Sequence, residues 1–286
     1  MSDDKIDIEN INTPGKTARV DRAKCLAMPS LALRRVAVAQ TLPVAGDVAA
    51  NAQDHLRWME QAAEQGAQWL QFPELSLTGY EPEYLAACAL PPNSPVLNTL
   101  SQAAQRLRLN TVVGLPLACA APAGAKPWIG AVLLHADGGR TVYRKHHLHA
   151  GEDAFAQPGH APACVVALGG TAVGLAICVD ANHPIHAQRA AEQGARLYSV
   201  GILTTATGVQ ADSAQLRRHA VRYGWHVLMA NFGGSTGPYV AVGQSAIWGP
   251  QGQCLAQASG DGPALVVADV GGDAPTPSPL SVAALP

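Results

Sequence analysis

Three residues with reactive side chains occupy the same kind of position, directly after a short apolar segment. Glu74 follows WLQFP, Lys145 follows TVYR, and Cys178 follows VGLAI. If these segments are strands of an α/β sheet, their carboxyl ends border the ligand-binding crevice, so the three side chains could share one pocket. A carboxylate can take the proton of a thiol, and an ammonium group can stabilise the oxyanion that forms when the thiolate attacks a carbonyl carbon.

Each of these residues also has an ordinary explanation when it is considered alone. Free cysteine is among the most buried residue types, so Cys178 could be a packed core thiol. Lys145 could be a solvated charge at the end of a strand. Glu74 is harder to explain in this way, because Pro73-Glu74 comes immediately after a buried strand. The hypothesis of a reactive site therefore depends on the joint placement of all three residues.

The elements that must position these residues alternate along the chain. Apolar periodicity predicts helices over 47–65, 95–108, 184–193 and 210–223. Strands are predicted at 36–40, 69–72, 111–116, 196–202 and 226–231, with hairpins over 129–148 and 164–178 and further strands in 243–257 and 264–270. Strands that alternate with helices indicate a layered α/β domain, and the hairpins argue against a purely parallel sheet.

The chain has 286 residues, enough for one large domain or two small ones. Residues 1–33 are expected to be a flexible N-terminal extension, 34–270 the folded domain and 271–286 a Pro-rich tail. The net charge of −2 gives no electrostatic argument for nucleic acid or an anionic membrane. The first residues lack the apolar core of a signal peptide, so we expect a cytoplasmic protein with reduced thiols.

Residues 161–179 carry no charged side chain over nearly the length of a membrane span. Gly169, Gly170 and Thr171 interrupt this segment at its middle. Two short strands joined by a tight turn therefore fit better than a transmembrane helix.

Three blocks around the reactive residues resemble the three signatures of the nitrilase superfamily, the carbon–nitrogen hydrolases. These blocks are FPELSLTGYEP, YRKHHLHAGEDAFAQPG and GLAICVDANHP. The similarity continues in AVAQTLPVAGDVAAN, RHAVRYGWHVLMAN and GQSAIWGPQGQCLA. It covers about residues 34–270 with all blocks in the family's order, so chance is a poor explanation.

The resemblance implies a Glu-Lys-Cys triad and a role for each matching residue. Cys178 would be the nucleophile that forms a thioester, Glu74 the general base, and Lys145 a donor to the oxyanion. Glu152 matches a second glutamate that holds the substrate and the lysine. The backbone N–H of Val179 is the natural second oxyanion donor.

The implied fold is a four-layer α-β-β-α sandwich of two mixed sheets. The implied reaction is hydrolysis of a linear amide through an acyl-enzyme, releasing ammonia or an amine and a carboxylic acid. This chemistry needs no cofactor or metal ion, because all reacting groups belong to the protein. We expect a small-molecule amide as the partner in the site, no nucleic-acid or membrane partner, and a homodimer or larger homo-oligomer that pairs through a helix face.

The chain departs from the family after the cysteine. Many amidases of the family carry an aromatic residue, an Asp and then Phe-Pro-Glu, and true nitrilases usually show Cys-Trp-Glu. Here Cys178 is followed by Val179 and Asp180, and residues 183–185 are His-Pro-Ile. This difference favours an amide over a nitrile. Asn182 and His183 lie where the specificity loop of the family begins, which makes them candidates for substrate contact.

Several alternatives stay open at this point. The substrate could be an N-carbamoyl compound or a nitrile, the acyl group could pass to an acceptor other than water, or the chain could be a non-catalytic binding protein. The run His146, His147 and His149 lacks the further ligands that a closed metal site needs. The Gly-rich segment 232–239 does not open a helix, so we predict a loop near the pocket rather than a phosphate cradle.

Overall fold

A computed structural model describes residues 31–119, 124–160 and 164–271, without the side chain of Cys164. Nearly all of the predicted extension and of the predicted tail lies outside these ranges, so their boundaries stay predictions. Leu31 and Leu33 are both buried, and the backbone N–H of Ala32 donates to Thr171 Oγ1 at 2.8 Å. The packed part of the chain therefore includes residues 31–33, just before the predicted domain start.

The described residues form four α-helices and fourteen strands. The helices are α1 (Val48–Glu64), α2 (Pro95–Leu107), α3 (Pro184–Glu192) and α4 (Val209–Tyr223). The strands of the first half are β1 (Arg35–Gln40), β2 (Trp69–Gln71), β3 (Asn110–Leu117), β4 (Trp128–Leu134), β5 (Arg140–Arg144), β6 (Cys164–Leu168) and β7 (Thr171–Ile177). Those of the second half are β8 (Leu197–Gly201), β9 (His226–Ala230), β10 (Ser235–Thr236), β11 (Tyr239–Val240), β12 (Ala246–Trp248), β13 (Cys254–Gln257) and β14 (Ala264–Asp269).

The ends of the helices follow from local sequence signals. Asp47 caps α1 by accepting a hydrogen bond from the backbone N–H of Ala50 at 2.9 Å. Ser94 precedes α2, whose first residue is a proline that needs no partner for a backbone N–H. Gly224 ends α4 with a φ of 67°, a conformation that glycine adopts without steric cost. The predicted helices therefore match the observed ones to within one or two residues.

Most strands belong to two mixed six-stranded sheets. The first has the order β14-β1-β2-β3-β4-β5, in which β1, β2 and β3 are parallel and the other pairs are antiparallel. The second has the order β13-β12-β9-β8-β7-β6, in which β7, β8 and β9 are parallel. The predicted hairpins are present as β4-β5 and β6-β7, while β10 and β11 form a separate small hairpin.

Alternate residues of the strands face different layers of the core. Val36 and Val38 of β1 pack into the cluster between the two sheets, whereas Ala37 and Ala39 pack under α1 and α2. A third cluster lies between the second sheet and helices α3 and α4. This period of two, with both faces covered, produces the α-β-β-α sandwich that the resemblance to the family implied.

A chain of polar side chains also joins the two sheets inside the core. Trp69 Nε1 of the first sheet donates to Ser199 Oγ of the second at 3.0 Å, and Ser199 Oγ donates to Gln71 Oε1 at 2.7 Å. Because these groups are buried, each satisfied bond fixes the register between the sheets. The carboxyl ends of β2 and β8 therefore face each other in a defined arrangement.

No helix within the described ranges is both long enough and apolar enough to cross a membrane. The uncharged segment considered above instead contributes β6 and β7, which pair in antiparallel register. Trp225 and Trp248 are buried, as expected of core residues.

Candidate active site

Cys178 stands on a sharp turn at the carboxyl end of β7. The strand ends at Ile177, and a short 3-10 turn runs from Cys178 to Asn182. The φ angle of Cys178 is 49°, in the left-handed region that residues with a β-carbon rarely adopt. Such a conformation costs on the order of 1–3 kcal/mol, which the surrounding fold must supply. It raises the half-buried thiol out of the sheet, with Sγ 3.9 Å from the carbonyl oxygen of Leu203.

Glu74 lies in a tight backbone segment between the two sheets. A β-carbon at Gly114 of β3 would lie 2.3 Å from the carbonyl oxygen of Pro73, and one at Gly201 of β8 would lie 3.0 Å from the backbone nitrogen of Glu74. Only glycines leave room for this segment. Leu75, directly after Glu74, also has a positive φ of 54°. The backbone on which Glu74 sits is thus fixed from both sheets.

Lys145 joins the two predicted glutamates. Its Nζ donates to Glu74 Oε1 at 2.6 Å and to Glu152 Oε1 at 2.7 Å, and all three side chains are almost completely buried. Glu152 Oε1 also accepts from the Tyr80 hydroxyl at 2.6 Å, and its Oε2 accepts from the backbone N–H of His149 at 2.7 Å. Glu74 Oε2, by contrast, makes no hydrogen bond of ordinary length and angle in the described part of the chain.

Burial and neighbouring charges set the protonation behaviour of this group. Burial raises the pKa of Glu74 to about 7, with the Glu152 charge adding to the rise and Lys145 opposing it. Burial and then the Glu74 charge raise the pKa of the Cys178 thiol well above its usual range, against the effect of Lys145. Burial lowers the pKa of Lys145, but the negative charges of Glu74, Cys178 and Glu152 raise it overall. Glu74, which gives only Oε1 to the lysine, is therefore a proton acceptor beside a protonated thiol and a charged lysine.

A cavity of about 480 Å³ opens over this group. Glu74, Glu152, Cys178, Val179 and Asn182 line it, while Lys145 lies behind the two glutamates. Five of the seven residues predicted for the site thus share one cavity wall. A second cavity, of about 580 Å³, lies along the exposed side of α4 and contains none of these residues.

The remaining predicted residues have different positions. Val179 is the second residue of the 3-10 turn, where a backbone N–H has no partner within the turn. Asn182 faces the cavity, and its Nδ2 donates to Asp212 Oδ1 at 3.2 Å. His183 does not line the cavity, because its ring stacks on that of His147 with 3.7 Å between ring centroids.

A model of the carbon-nitrogen hydrolase family matches residues 35–273 of the chain. The chain belongs to the carbon–nitrogen hydrolase family. This match covers the two sheets and the whole cavity described above. The resemblance found in the sequence is therefore confirmed.

Solved structures place this hydrolase near the amidases of the nitrilase superfamily. It is similar to the amidase of Nesterenkonia sp. AN1, with 30% identity and a TM-score of 0.73 over 82% of this chain and 92% of that one. It is also similar to a variant of that amidase carrying the acetamide moiety of fluoroacetamide on its active-site cysteine. There the identity is 29% and the TM-score 0.72, over 83% of this chain and 90% of that one.

A curated relative supports the same assignment. A Pseudomonas protegens protein described as a hydrolase in the pqqF 5′ region is 29% identical over 251 residues, 82% of each chain. Together with a serine-for-cysteine variant of the Nesterenkonia enzyme, described as an amidase from the nitrilase superfamily, these matches support the amidase-like branch. The chain is thus an enzyme that cleaves carbon–nitrogen bonds.

Asp180 ties the cysteine turn of this hydrolase to the lysine segment. Its Oδ1 accepts from the backbone N–H of His147 at 2.9 Å, and its Oδ2 accepts from the Tyr143 hydroxyl at 2.7 Å. Tyr143 and His147 flank Lys145 in the chain. In the sequence, Asp180 was compared only with the residues that follow the cysteine in the family. An aspartate two residues after a strand-end cysteine was the available signal for this role.

Two aromatic residues of the cavity were not predicted from the sequence. Tyr80 and Tyr239 line the cavity and meet edge to face, with 5.5 Å between ring centroids. Tyr239 belongs to the β10-β11 hairpin, which docks where Thr236 Oγ1 accepts from the backbone N–H of Tyr80 at 2.7 Å. The Gly-rich segment predicted as a loop near the pocket is this hairpin, and its glycines signalled a turn but not where it docks.

Within the described ranges, no group of three or more His, Cys, Asp or Glu side chains is arranged to hold a metal ion. His146, His147 and His186 instead contact one another through their rings behind the cysteine turn.

Proposed function

We propose that this enzyme hydrolyses small linear amides through a thioester at Cys178, with Glu74 as the general base. The observation that carries the proposal is the buried Lys145 between Glu74 and Glu152, beside a cavity that Cys178 lines. This arrangement uses only one oxygen of Glu74 for the lysine and leaves the other for the thiol. An acyl transfer that begins with proton removal from a cysteine requires these groups.

In the first half of the reaction, Glu74 takes the thiol proton and Sγ attacks the amide carbon. The negative charge moves to the amide oxygen, where the backbone N–H of Val179 stabilises it. An ammonium group has three N–H donors, and Lys145 uses two of them on Glu74 and Glu152, so its third can also face this oxygen. Glu74 then gives its proton to the departing nitrogen, and ammonia or an amine leaves as the carbon–nitrogen bond breaks.

In the second half, Glu74 is a carboxylate again and takes a proton from water. The hydroxide attacks the thioester, the carbon–sulfur bond breaks, and the carboxylic acid leaves while the proton returns to the thiol. A carboxyl group that acts first as a base and then as an acid works best when its pKa is near the operating pH. The pKa of Glu74 is about 7. Glu152 keeps Lys145 in place throughout.

The structural neighbours support a short linear amide as the substrate. A variant of the Nesterenkonia amidase that lacks the cysteine is described in complex with butyramide, and another form shows Michael addition of acrylamide at the active-site cysteine. A volume of about 480 Å³ has room for an amide of this size.

We further propose that the enzyme works without a cofactor in the cytoplasm, as a homodimer or larger homo-oligomer, with no nucleic-acid or membrane partner. The nucleophile, the base and the oxyanion donors are all protein groups. Cys88, Cys119, Cys178 and Cys254 are unpaired, which suits a reducing compartment. Ile185 of α3 and Val221 of α4 are exposed apolar side chains on the helix layer through which pairing would occur.

The test is ammonia release from a panel of linear amides, N-carbamoyl amino acids and nitriles. We expect release from short amides by the wild type and by Cys88→Ala, which removes a thiol outside the cavity, but not by Cys178→Ala. Mass spectrometry of the wild type quenched during turnover should show one added acyl group on Cys178. Turnover that survives Cys178→Ala, or release from only the other two classes, would overturn the proposal.

A further inference from the structure

The cavity contains a carboxylate that the proposed mechanism does not use. Asp212, in the first turn of α4, lines the same cavity as Cys178. Its Oδ2 accepts from Thr204 Oγ1 at 2.7 Å, and its Oδ1 accepts from Asn182 Nδ2 at 3.2 Å. Both donors also line the cavity, so the three side chains form one continuous polar patch on its wall.

This carboxylate has only neutral side-chain partners. Among the described residues, no Lys, Arg or His side chain forms an ion pair with Asp212. Glu74 and Glu152 also line the cavity, and Lys145 behind them is the one lysine or arginine of the described ranges that pairs with either. The hydroxyl, the amide and the helix N-terminus stabilise the Asp212 charge without cancelling it. Asp212 therefore gives its part of the cavity wall a negative charge, which attracts cations and repels anions.

Asp212 is held within reach of an acyl chain on the thiol. Cys178 and Asn182 are the two ends of the 3-10 turn, which rises about 2 Å per residue, so they lie about 8 Å apart along its axis. Thr204 directly follows Leu203, whose carbonyl oxygen is 3.9 Å from Cys178 Sγ. A short chain that starts at the thioester carbon can therefore bring its end to the carboxylate.

The patch is also rigid before any substrate arrives. The buried Asn231 accepts from the backbone N–H of Thr204 at 3.0 Å and donates from Nδ2 to its carbonyl oxygen at 3.0 Å. The backbone of Thr204 is thus held through both its N–H and its C=O group, and its hydroxyl fixes Asp212 in turn. A preorganised acceptor of this kind discriminates between ligands, because it cannot move away from the wrong charge.

We propose that Asp212 selects substrates whose acyl chain ends in a protonated amine, so that this enzyme acts on short ω-amino amides. The proposal rests on the proposed amide hydrolysis and assigns its substrate class. The ammonium group would replace solvent on the Asp212 carboxylate, with Thr204 and Asn182 keeping the oxygens in place. The rings of Tyr80 and Tyr239, which line the same cavity, favour a cation further. A chain that ends in a carboxylate would meet like charge and be rejected.

Three amides that differ only at the end of the chain test this selection: γ-aminobutyramide, pentanamide and glutaramate. For the wild type we expect kcat/KM to be about tenfold higher for γ-aminobutyramide than for pentanamide, and lowest for glutaramate, as a charge-assisted hydrogen bond predicts. This preference should shrink as salt is added. The salt dependence requires no variant.

Variants then assign the preference to Asp212. With Asp212→Asn, the ratio of kcat/KM for γ-aminobutyramide to that for pentanamide should fall about tenfold. Asp212→Ser, which removes the charge but keeps a polar side chain in the first helical turn, should lower the ratio similarly if the Asn variant folds poorly. Asp261→Asn, which removes an exposed carboxylate outside the cavity, should leave the ratio at its wild-type value.

Binding to Cys178→Ala separates this proposal from the proposed reaction. Calorimetry should show that γ-aminobutyramide binds more tightly than pentanamide to this variant, which needs no turnover. Charge-selective binding without hydrolysis by the wild type would support the Asp212 site and contradict the amidase proposal. Hydrolysis of pentanamide equal to or better than that of γ-aminobutyramide, or an unchanged ratio in Asp212→Asn, would overturn the selection by Asp212 and leave the amidase proposal intact.

Discussion

The two ends of the cavity are built in different ways. At the reaction end, Glu74, Lys145 and Glu152 are almost fully buried, and Lys145 pairs with both glutamates at distances of 2.6 and 2.7 Å. At the other end, Asp212 is only partly buried and has neutral partners, and Tyr239 is 39% exposed. Buried charges that are paired lock one arrangement for chemistry, whereas an unpaired carboxylate near solvent is available to a ligand.

This difference separates two kinds of effect. Changes at the reaction end should alter kcat and its pH dependence for every amide. Changes at the other end, here called the outer wall and formed by Asp212 and Tyr239, should alter KM and the choice between amides.

The largest effect is expected from Glu74→Gln, which removes the base but keeps the shape of the side chain. General base catalysis contributes about 10²–10⁴-fold, so kcat should fall by that factor for all amides. In the wild type, Glu74 must be deprotonated to act. Because its pKa is about 7, kcat/KM should fall about tenfold per unit as the pH decreases below 7.

Steady-state kinetics between pH 5 and pH 9 check both parts of this prediction. Glu83→Gln is the matched control, because Glu83 is an exposed glutamate in the loop that follows Glu74, and it should keep the wild-type profile. An acid limb that persists in Glu74→Gln would assign the titration to another group. A wild-type profile that is flat down to pH 5 would contradict the raised pKa of Glu74.

Much of the reaction end could be predicted from the sequence. Apolar runs that end in Glu74, Lys145 and Cys178 fix both the strands and the residues beyond them, and family blocks gave Glu152. Residues at strand ends can be predicted because the ends of strands depend on the local pattern of apolar residues, and a single sequence shows this pattern. The helices and the hairpins followed from the same signal, whereas the two mixed sheets were implied by the resemblance to the family.

The outer wall could not be predicted in this way. Asp212 and Tyr239 reach the cavity through contacts between segments distant in the sequence, and neither periodicity nor spacing shows such contacts. His183 was a candidate for substrate contact because of its place in the chain, but stacking on His147 turns it away from the cavity wall. Side-chain direction in a loop depends on partners that only the folded structure provides.

An intermediate effect is expected from Gly201→Ala, which tests how the two sheets hold Glu74. The added β-carbon would lie 2.8 Å from the carbonyl oxygen of Phe72 and 3.0 Å from the backbone nitrogen of Glu74, so this backbone must move. Overpacking of this kind costs about 1–3 kcal/mol of folding free energy. Because Glu74 shifts relative to the thiol, kcat should fall about tenfold while the ratio between γ-aminobutyramide and pentanamide stays constant.

Gly260→Ala is the matched control, because its β-carbon would meet nothing within 4 Å. Its free energy of unfolding should stay within about 0.5 kcal/mol of the wild type. Urea unfolding and steady-state kinetics on both variants give the comparison. A Gly201→Ala protein with wild-type kcat would show that the close approach of β8 does not position the base.

The smallest effect is expected from Thr236→Val, which weakens the docking of the β10-β11 hairpin on the outer wall. The substitution keeps the shape of the side chain but removes the oxygen that accepts from the backbone N–H of Tyr80 at 2.7 Å. A lost hydrogen bond of this type costs about 1 kcal/mol, so KM should rise about fivefold as Tyr239 becomes less well placed. The pH profile should keep its acid limb near 7, because the hydrogen bonds of Glu74 and Lys145 go to each other and to Glu152 and not to the hairpin. Thr236→Ser keeps the acceptor oxygen and should behave as the wild type. A Thr236→Val enzyme whose kcat or acid limb changes instead of its KM would show that the hairpin supports the reaction end, and the division between the two ends of the cavity would then be wrong.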